Sequence, residues 1–209
     1  MRRLLSAGHR GLLVECDDLE EVMALHRAVE ASRPGGVVDL VPAARTLLLT
    51  FDGTTTRADV AAAVDAAGAR ADVADSAPDP DRPEVVIPVT YDGPDLVVVA
   101  ELTGLPVAEV VRRHQGAEHV VAFTGFAPGF AYLAGGGREL HVPRRDTPRT
   151  RVPAGSVALG GEFTGIYPRQ GPGGWQLIGR TDIVLWDLRR DQPALLTPGS
   201  RVRFTEVAS

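Results

Sequence analysis

The sequence predicts an α+β chain in two parts: an N-terminal βαββαβ half, with two helices covering one face of an antiparallel sheet, and a C-terminal β-barrel or sandwich. Three observations carry this expectation. Strand-like runs alternate with capped amphipathic helices as far as Gly68; an acidic, Pro-rich stretch follows; and from about Val120 short apolar runs alternate with Gly and Pro turns.

In chain order, "GLLVE" (Gly11 to Glu15) reads as the first strand. The next stretch, "CDDLEEVMALHRAVEASRPGG", reads as a helix capped by Asp17 or Asp18, with Leu19, Val22, Met23, His26 and Val29 on one face and Gly35 and Gly36 at its end. "VVDLVP" and "RTLLLTFD" supply two more strands, and "TTTRADVAAAVDAAG" a second capped helix ending at Gly68. A fourth strand, from "ARADVA" or "EVVIPVTYD", completes the split arrangement. Between these candidates "DSAPDPDRP" has the composition of a linker, which places the domain boundary near residue 80 and gives domains 1–80 and 81–209.

The second half begins with "YDGPDLVVVAELTGLPVAEVVRRHQG", two short helices with Pro94 and Pro106 near their starts and Gly104 and Gly116 near their ends. Asp92 and Asp95 read as caps of the first of them. Beyond it, "HVVAF", "SVALGG", "WQLIG", "IVLWDL" and "RVRFTEV" form the short, evenly spaced strands of a barrel or sandwich.

Composition narrows the function. A chain of 209 residues, 44% hydrophobic, has room for a real core. Its net charge of -5 offers no basic field for nucleic acid. No segment reaches the roughly 20 apolar residues that span a bilayer, and the apolar runs of "MRRLLSAGHRGLLVE" are too short for a signal peptide, so a cytoplasmic location without membrane contact is expected. Cys16 is the single cysteine, which excludes an intrachain disulfide and a Cys cluster for zinc, and it reads as buried packing. All basic side chains are Arg. Without lysine the chain cannot carry biotin, form a lysine Schiff base or furnish a P-loop lysine.

Four stretches could carry chemistry. In "FTGFAPGFAYLAGGG", Ala127-Pro128-Gly129-Phe130 suits a type II turn, because Pro presets the first central residue and Gly accepts the positive φ of the second. Its flanking aromatics, Phe126, Phe130 and Tyr132, serve either as a plug in the barrel end or as an apolar wall beside a ligand. In "HVPRRDTPRTRVPAGS", Arg144, Arg145, Arg149 and Arg151 stand among stiffening prolines, either as a preorganised site for carboxylate or phosphate or as a solvated loop. "GWQLIGRT" mimics a P-loop, but Trp175, Gln176, Leu177 and Ile178 read as strand and no strand-turn-helix unit surrounds them. His114 closes a helix, where the dipole favours a cationic ring; His141, beside the Arg cluster, is a candidate acid, base or substrate ligand. No metal-ligand spacing stands out.

Taken together, "GFAPGFAYL", "PRRDTPRTRVPAGSVALGGEFTGIYP" and "GPGGWQLIGRT" resemble, in order and spacing, the allophanate hydrolase subunit 1 family, which includes the B subunit of bacterial 5-oxoprolinase and the kinase inhibitor KipI. The resemblance runs from about residue 84 to the end of the chain. Phe163 and Ala131 depart from the family's usual polar residue and proline. The resemblance implies a ferredoxin-like N-terminal domain and a cyclophilin-like β-barrel. It also implies a subunit that works with a second cyclophilin-like subunit and a third subunit, opening 5-oxo-L-proline to L-glutamate with ATP as co-substrate and inactive by itself. It carries two alternatives, a KipI-like inhibitor of a sensor histidine kinase and a urea carboxylase or allophanate hydrolase component. On this basis the candidate catalytic residues are His141, Arg145 and Arg149. The candidate substrate-binding residues are Gly125, Phe126, Pro128, Gly129, Phe130, Arg144, Arg151, Gly173, Gly174 and Trp175.

Overall fold

Alternation of period two builds the N-terminal sheet. In the computed structural model, which describes residues 2–71 and 84–207, the chain divides into units 1–78 and 79–209. The first unit contains β1 (Arg3–Ser6), β2 (Gly11–Glu15), α1 (Leu19–Ser32), β3 (Val37–Pro42), β4 (Thr46–Phe51) and α2 (Arg57–Ala71). The four strands form an antiparallel sheet in the order β1-β2-β4-β3. On β4, Leu47, Leu49 and Phe51 are buried against Val22, Leu25 and Val29 of α1 and Val60, Val64 and Ala67 of α2, while Thr46, Leu48 and Thr50 face the other way.

Both helices are capped as their sequences require. The Glu21 amide donates to the Asp18 carboxylate at 2.9 Å while the Asp17 amide donates back to Glu21 at 2.7 Å. Thr56 and Asp59 repeat the reciprocal pattern at the start of α2.

Two sequence expectations need correction here. The fourth strand of this sheet comes from Arg3–Ser6, ahead of the first predicted strand, and "EVVIPV" belongs to the second unit. The start of "ARADVA" lies in α2, which runs past Gly68 to Ala71; its end and all of "DSAPDPDRP" lie outside the described residues. An edge strand of four residues carries too little pattern to be found by periodicity.

The second unit contains β5 (Glu84–Val89), α3 (Leu96–Thr103), α4 (Val107–Gly116), β6 (His119–Thr124), β7 (Ala131–Ala134), β8 (Arg149–Val152), β9 (Ser156–Gly160), β10 (Phe163–Ile166), β11 (Gly171–Gly173), β12 (Gln176–Arg180) and β13 (Arg201–Glu206). Seven strands form one sheet, β12-β9-β10-β7-β6-β13-β5, in which only the β13/β5 pair is parallel. Beyond β5, Thr90 exchanges two backbone hydrogen bonds of 2.9 Å with Arg180 of β12, so the first and last strands meet and the sheet is a nearly closed barrel rather than a sandwich. Ile87, Val89, Val121, Leu133, Val157, Ile166, Ile178, Val202 and Phe204 fill it. α3 lies against β12 and α4 against β13. Gly104 ends α3 in the left-handed conformation, and its amide reaches back to the helix carbonyls.

The short β8/β11 pair stands apart from the barrel sheet. It brings the Pro and Arg segment alongside "GPGGW", pairing Arg149 with Gly173.

Candidate functional site

The "GFAPGF" stretch folds into two consecutive tight turns. The Phe130 amide donates to the Ala127 carbonyl at 2.9 Å with Gly129 at φ 84°, which is the type II turn expected from Pro128-Gly129. Just before it, the Ala127 amide donates to the Gly125 carbonyl at 2.6 Å across Phe126, whose φ is 64°. That is a γ-turn of the strained hand, in which Cβ crowds the backbone. Among the described residues, Phe126 alone lies in the left-handed φ region without being glycine, and its side chain is 59% exposed. Strain of this kind persists where surrounding structure enforces it, and it clusters at binding sites.

Behind Phe126 stands a set of edge-to-face rings. Phe130 meets Tyr132 at 5.1 Å, Tyr167 at 5.4 Å and Trp175 at 5.6 Å between centroids, and Phe126 meets Phe130 at 5.3 Å. Gly165 of β10 makes this possible, since a Cβ there would lie 2.9 Å from both the Phe130 and the Trp175 rings. Burial raises the Tyr167 phenol above its ordinary pKa, only partly offset by the Trp175 amide, so it is neutral at pH 7.

The arginine segment closes the remaining side. The Arg145 amide donates to the Gly174 carbonyl at 2.7 Å, and Gln176 Nε2 donates to the Pro143 carbonyl at 3.2 Å, pinning the loop to the end of β11 and the start of β12. The Arg144 guanidinium lies 5.7 Å above the centre of the Trp175 ring. The resulting cavity of about 200 Å³ is lined by Phe126, Phe130, Tyr132, Arg144, Arg145, Pro148, Tyr167, Pro172, Gly173, Gly174 and Trp175. All three sequence motifs therefore contribute to one cavity.

Not every candidate residue lines it. Gly125, Pro128 and Gly129 line a neighbouring depression of about 390 Å³ whose far wall is Trp186 and Leu196, and Phe126 is the wall that the two share. His141 is exposed, follows the short 3-10 turn Arg138–Leu140 and does not reach the cavity. Arg151 is exposed on β8 and also lies off the cavity. Arg149 is aimed elsewhere, at Asp95.

Asp95 is the residue that sequence reasoning misjudged. It occupies the N-cap position of α3, yet its side chain makes no capping bond. Its carboxylate, 3% exposed, accepts Arg145 Nη1 at 3.0 Å and Arg149 Nη2 at 2.7 Å on one oxygen and the Leu177 amide at 2.7 Å on the other. Asp92, by contrast, forms an exposed 2.8 Å pair with Arg180. No local signal distinguishes the two aspartates, because Asp95's partners lie 50, 54 and 82 residues away. Tyr132, read from the sequence as a possible wall beside a ligand, does line the cavity; Tyr167, Pro148 and Pro172 were missed, although all three stand inside or beside the quoted motifs.

His114 needs a second correction. It is fully buried, with Nδ1 2.7 Å from the Tyr91 hydroxyl and Nε2 3.3 Å from Thr164 Oγ1, and burial holds its pKa well below the ordinary value, so the dipole-stabilised cation expected at the helix end does not form. "GWQLIGRT" contains strand β12, which removes the P-loop reading. Cys16 is buried and its thiol is pushed up to about 11, consistent with packing. Among the described residues no group of three or more His, Cys, Asp or Glu could hold a metal, and no helix is long and apolar enough to cross a membrane.

Comparison with known proteins agrees with the motif resemblance. Over 129 residues, 60% of this chain and 59% of the relative, the sequence is 53% identical to the B subunit of 5-oxoprolinase from Escherichia coli O157:H7. The chain thus spans about three fifths of the length of that curated relative. Among solved structures, PH0987 from Pyrococcus horikoshii is 32% identical with a TM-score of 0.58, covering 99% of this chain and 98% of that one. TTHA0988 is 36% identical with a TM-score of 0.76, covering 96% of this chain and 40% of the longer protein. The family described as "Carboxyltransferase domain, subdomain C and D" matches residues 2–196, and the chain belongs to it.

Proposed function

We propose that the chain is the B subunit of an ATP-dependent 5-oxoprolinase, opening 5-oxo-L-proline to L-glutamate in a complex with a second cyclophilin-like subunit and a third subunit. The observation that carries this reading is the convergence of "GFAPGF", "PRRDTP" and "GPGGW" on one small cavity with aromatic walls and arginine on its rim. The name of the 53% identical relative supports it. In the same reading, the four-stranded sheet with both helices on one face is a ferredoxin-like domain whose last strand is supplied from the N-terminal side, and the nearly closed barrel is cyclophilin-like.

The chemistry follows from the difficulty of the substrate. A lactam amide is resonance-stabilised; transfer of the ATP γ-phosphoryl group to the lactam oxygen, releasing ADP, activates the ring carbon. Water adds to that carbon, the C–N bond breaks with the nitrogen leaving as the protonated amine, and a second water cleaves the resulting glutamyl phosphate to L-glutamate and phosphate. A cavity of about 200 Å³ falls below the roughly 300–1,000 Å³ of drug-sized pockets, so it suits a five-membered ring acid better than a whole nucleotide. Arg145 grips the substrate carboxylate, Phe126, Phe130 and Trp175 cover the ring faces, and the backbone around Gly173 and Gly174 stands beside the carbonyl where negative charge develops. The neutral Tyr167 phenol offers a donor at the same wall. The nucleotide and the remaining cations then come from partner subunits.

Reconstituting the chain with both partner subunits and measuring glutamate released from 5-oxoproline with ATP tests the reading. Turnover by the complex, none by the lone chain, and at least a hundredfold loss in Arg145→Ala, about 2.7 kcal/mol of transition-state stabilisation, are expected. Absence of 5-oxoproline turnover by the complete complex would overturn it.

A kinase-inhibitor role has one observation in its favour. Val184, Trp186 and Leu188, 53%, 40% and 79% exposed, form an apolar stripe on the segment that walls the second depression. Direct binding to a histidine kinase dimerisation domain, with loss of autophosphorylation, distinguishes that role from docking of an enzyme subunit.

A further inference from the structure

A helix normally spends its N-cap aspartate on its own first-turn amides, a contact that stabilises by about 1 kcal/mol. α3 forgoes it. Asp95 turns away from the helix and is buried under two arginines, where a carboxylate is costly unless fully paired. A local rule broken in favour of a long-range charged contact, at the edge of a cavity, points to a functional constraint.

The hydrogen bonds show what the contact achieves. Each guanidinium has five donors, and Asp95 takes one from Arg145 and one from Arg149, both on the same oxygen. The second oxygen is occupied by the Leu177 amide, and the Asp95 amide donates back to the Leu177 carbonyl at 3.0 Å, so the carboxylate is fixed to β12 and cannot swing. Arg145 is therefore held by one Nη, between a rigid carboxylate and its own amide bond to Gly174, with the rest of its fork uncommitted to Asp95. It lines the cavity, whereas Arg149 does not. Two arginines and one aspartate leave the cluster a formal charge of +1, and Arg144 on the same cavity adds to it, so the cavity favours an anion.

We propose that Asp95 is a positioning residue for ligand recognition: it aims Arg145 at the carboxylate of a small ring acid in the aromatic cavity, with Arg149 sharing the same Asp95 oxygen so that Arg145 is not left to neutralise Asp95 alone. This deepens the 5-oxoprolinase reading and rests on it for the identity of the acid. The chemistry recognised is a carboxylate on a five-membered ring.

The test separates positioning from simple structural support. Intrinsic tryptophan fluorescence of the full chain, reporting Trp175 in the cavity wall, is titrated with pyrrole-2-carboxylate and with pyrrole-2-carboxamide, and turnover of 5-oxoproline is measured in the reconstituted complex. The wild type is expected to prefer the carboxylate by roughly tenfold or more. Asp95→Asn keeps the shape and an acceptor, and its preference is expected to fall to within about twofold while the carboxamide binds as before.

Arg149→Gln provides a second variant should Asp95→Asn not fold. With Arg149 gone, Arg145 alone neutralises Asp95, the cluster carries no net charge, and the preference again falls. Retention of the wild-type preference in either folded variant overturns the proposal, as does a wild type that does not discriminate the two probes. Asp95-dependent preference without 5-oxoproline turnover sinks the enzyme assignment and leaves the positioning role standing; turnover without the preference does the reverse.

Discussion

Two buried polar clusters in the second unit solve the same problem in opposite ways. At the cavity, Asp95 forms ion pairs with Arg145 and Arg149. In the barrel interior, His114, His119, Tyr91 and Thr164 stay neutral: His119 Nε2 donates to the His114 carbonyl at 3.0 Å, and burial lowers the pKa of both rings. The charged cluster leaves Arg145 Nε and Arg149 Nη1 without a partner, while His114 is bonded at both ring nitrogens and is enclosed with His119 by Phe204. β10 separates them, because successive residues of a strand face opposite ways: Thr164 contacts His114 and Gly165 makes room for Phe130 and Trp175. One strand therefore serves the histidine cluster with one residue and the aromatic cavity wall with the next.

The largest expected effect breaks the charged side. Asp95→Leu leaves two partly buried guanidinium groups without their anion and should cost about 3–5 kcal/mol, read as the shift in urea midpoint at constant slope. A loss below about 1 kcal/mol would place the cluster with ordinary surface pairs.

The histidine side predicts a pH dependence instead. Both rings have folded pKa values below the unfolded value of about 6.5, so in the window below that pH the unfolded chain binds more protons, and stability falls as pH falls. Unfolding free energy should be level above about pH 7 and decline below 6.5 by up to about 2.7 kcal/mol per pH unit for two such groups. His26 is shifted in the same direction. Comparing the wild type with His119→Gln isolates the contribution of the interior ring, and an unchanged slope in the variant would contradict the neutral-cluster description.

Gly165→Ala sharpens the division along β10. Its new methyl meets two rings at 2.9 Å and should cost about 1–3 kcal/mol and weaken ligand binding while leaving the acid slope intact. A changed slope would mean that the two clusters are coupled across the strand. The smallest effect on stability is expected for Phe126→Gly. Relief of the positive φ, about 1–2 kcal/mol, offsets the loss of a ring that is 59% exposed, so the melting temperature should barely move while ring-acid affinity drops. Destabilisation by several degrees would make Phe126 a packing residue.

Sequence reading fared best where the controlling information is local. The caps at Asp18 and Thr56, the left-handed stop at Gly104 and the type II turn at Pro128-Gly129 are decided by side chains within four residues of the backbone groups they satisfy. Motif resemblance extended this to the site, since all three motifs do reach one cavity. It could not show which of His141, Arg145, Arg149 and Arg151 line that cavity, because on a strand or loop one residue's offset decides which way a side chain points.

Local dihedral preference, apolar period and turn chemistry thus specified which segments are helix, strand and turn, and motif spacing specified which segments gather. Tertiary structure decided the rest: that the first sheet takes its fourth strand from Arg3–Ser6, that the second closes through Thr90 and Arg180, and that Asp95 leaves its helix for two arginines. In the first of these the near neighbour wins, since Arg3–Ser6 pairs with β2 across the short turn that joins them, whereas Asp95 is a competition between a local partner and distant ones. The distant partner wins only where burial removes water and strengthens the pairing, and burial is a property of the folded chain rather than of any window within it.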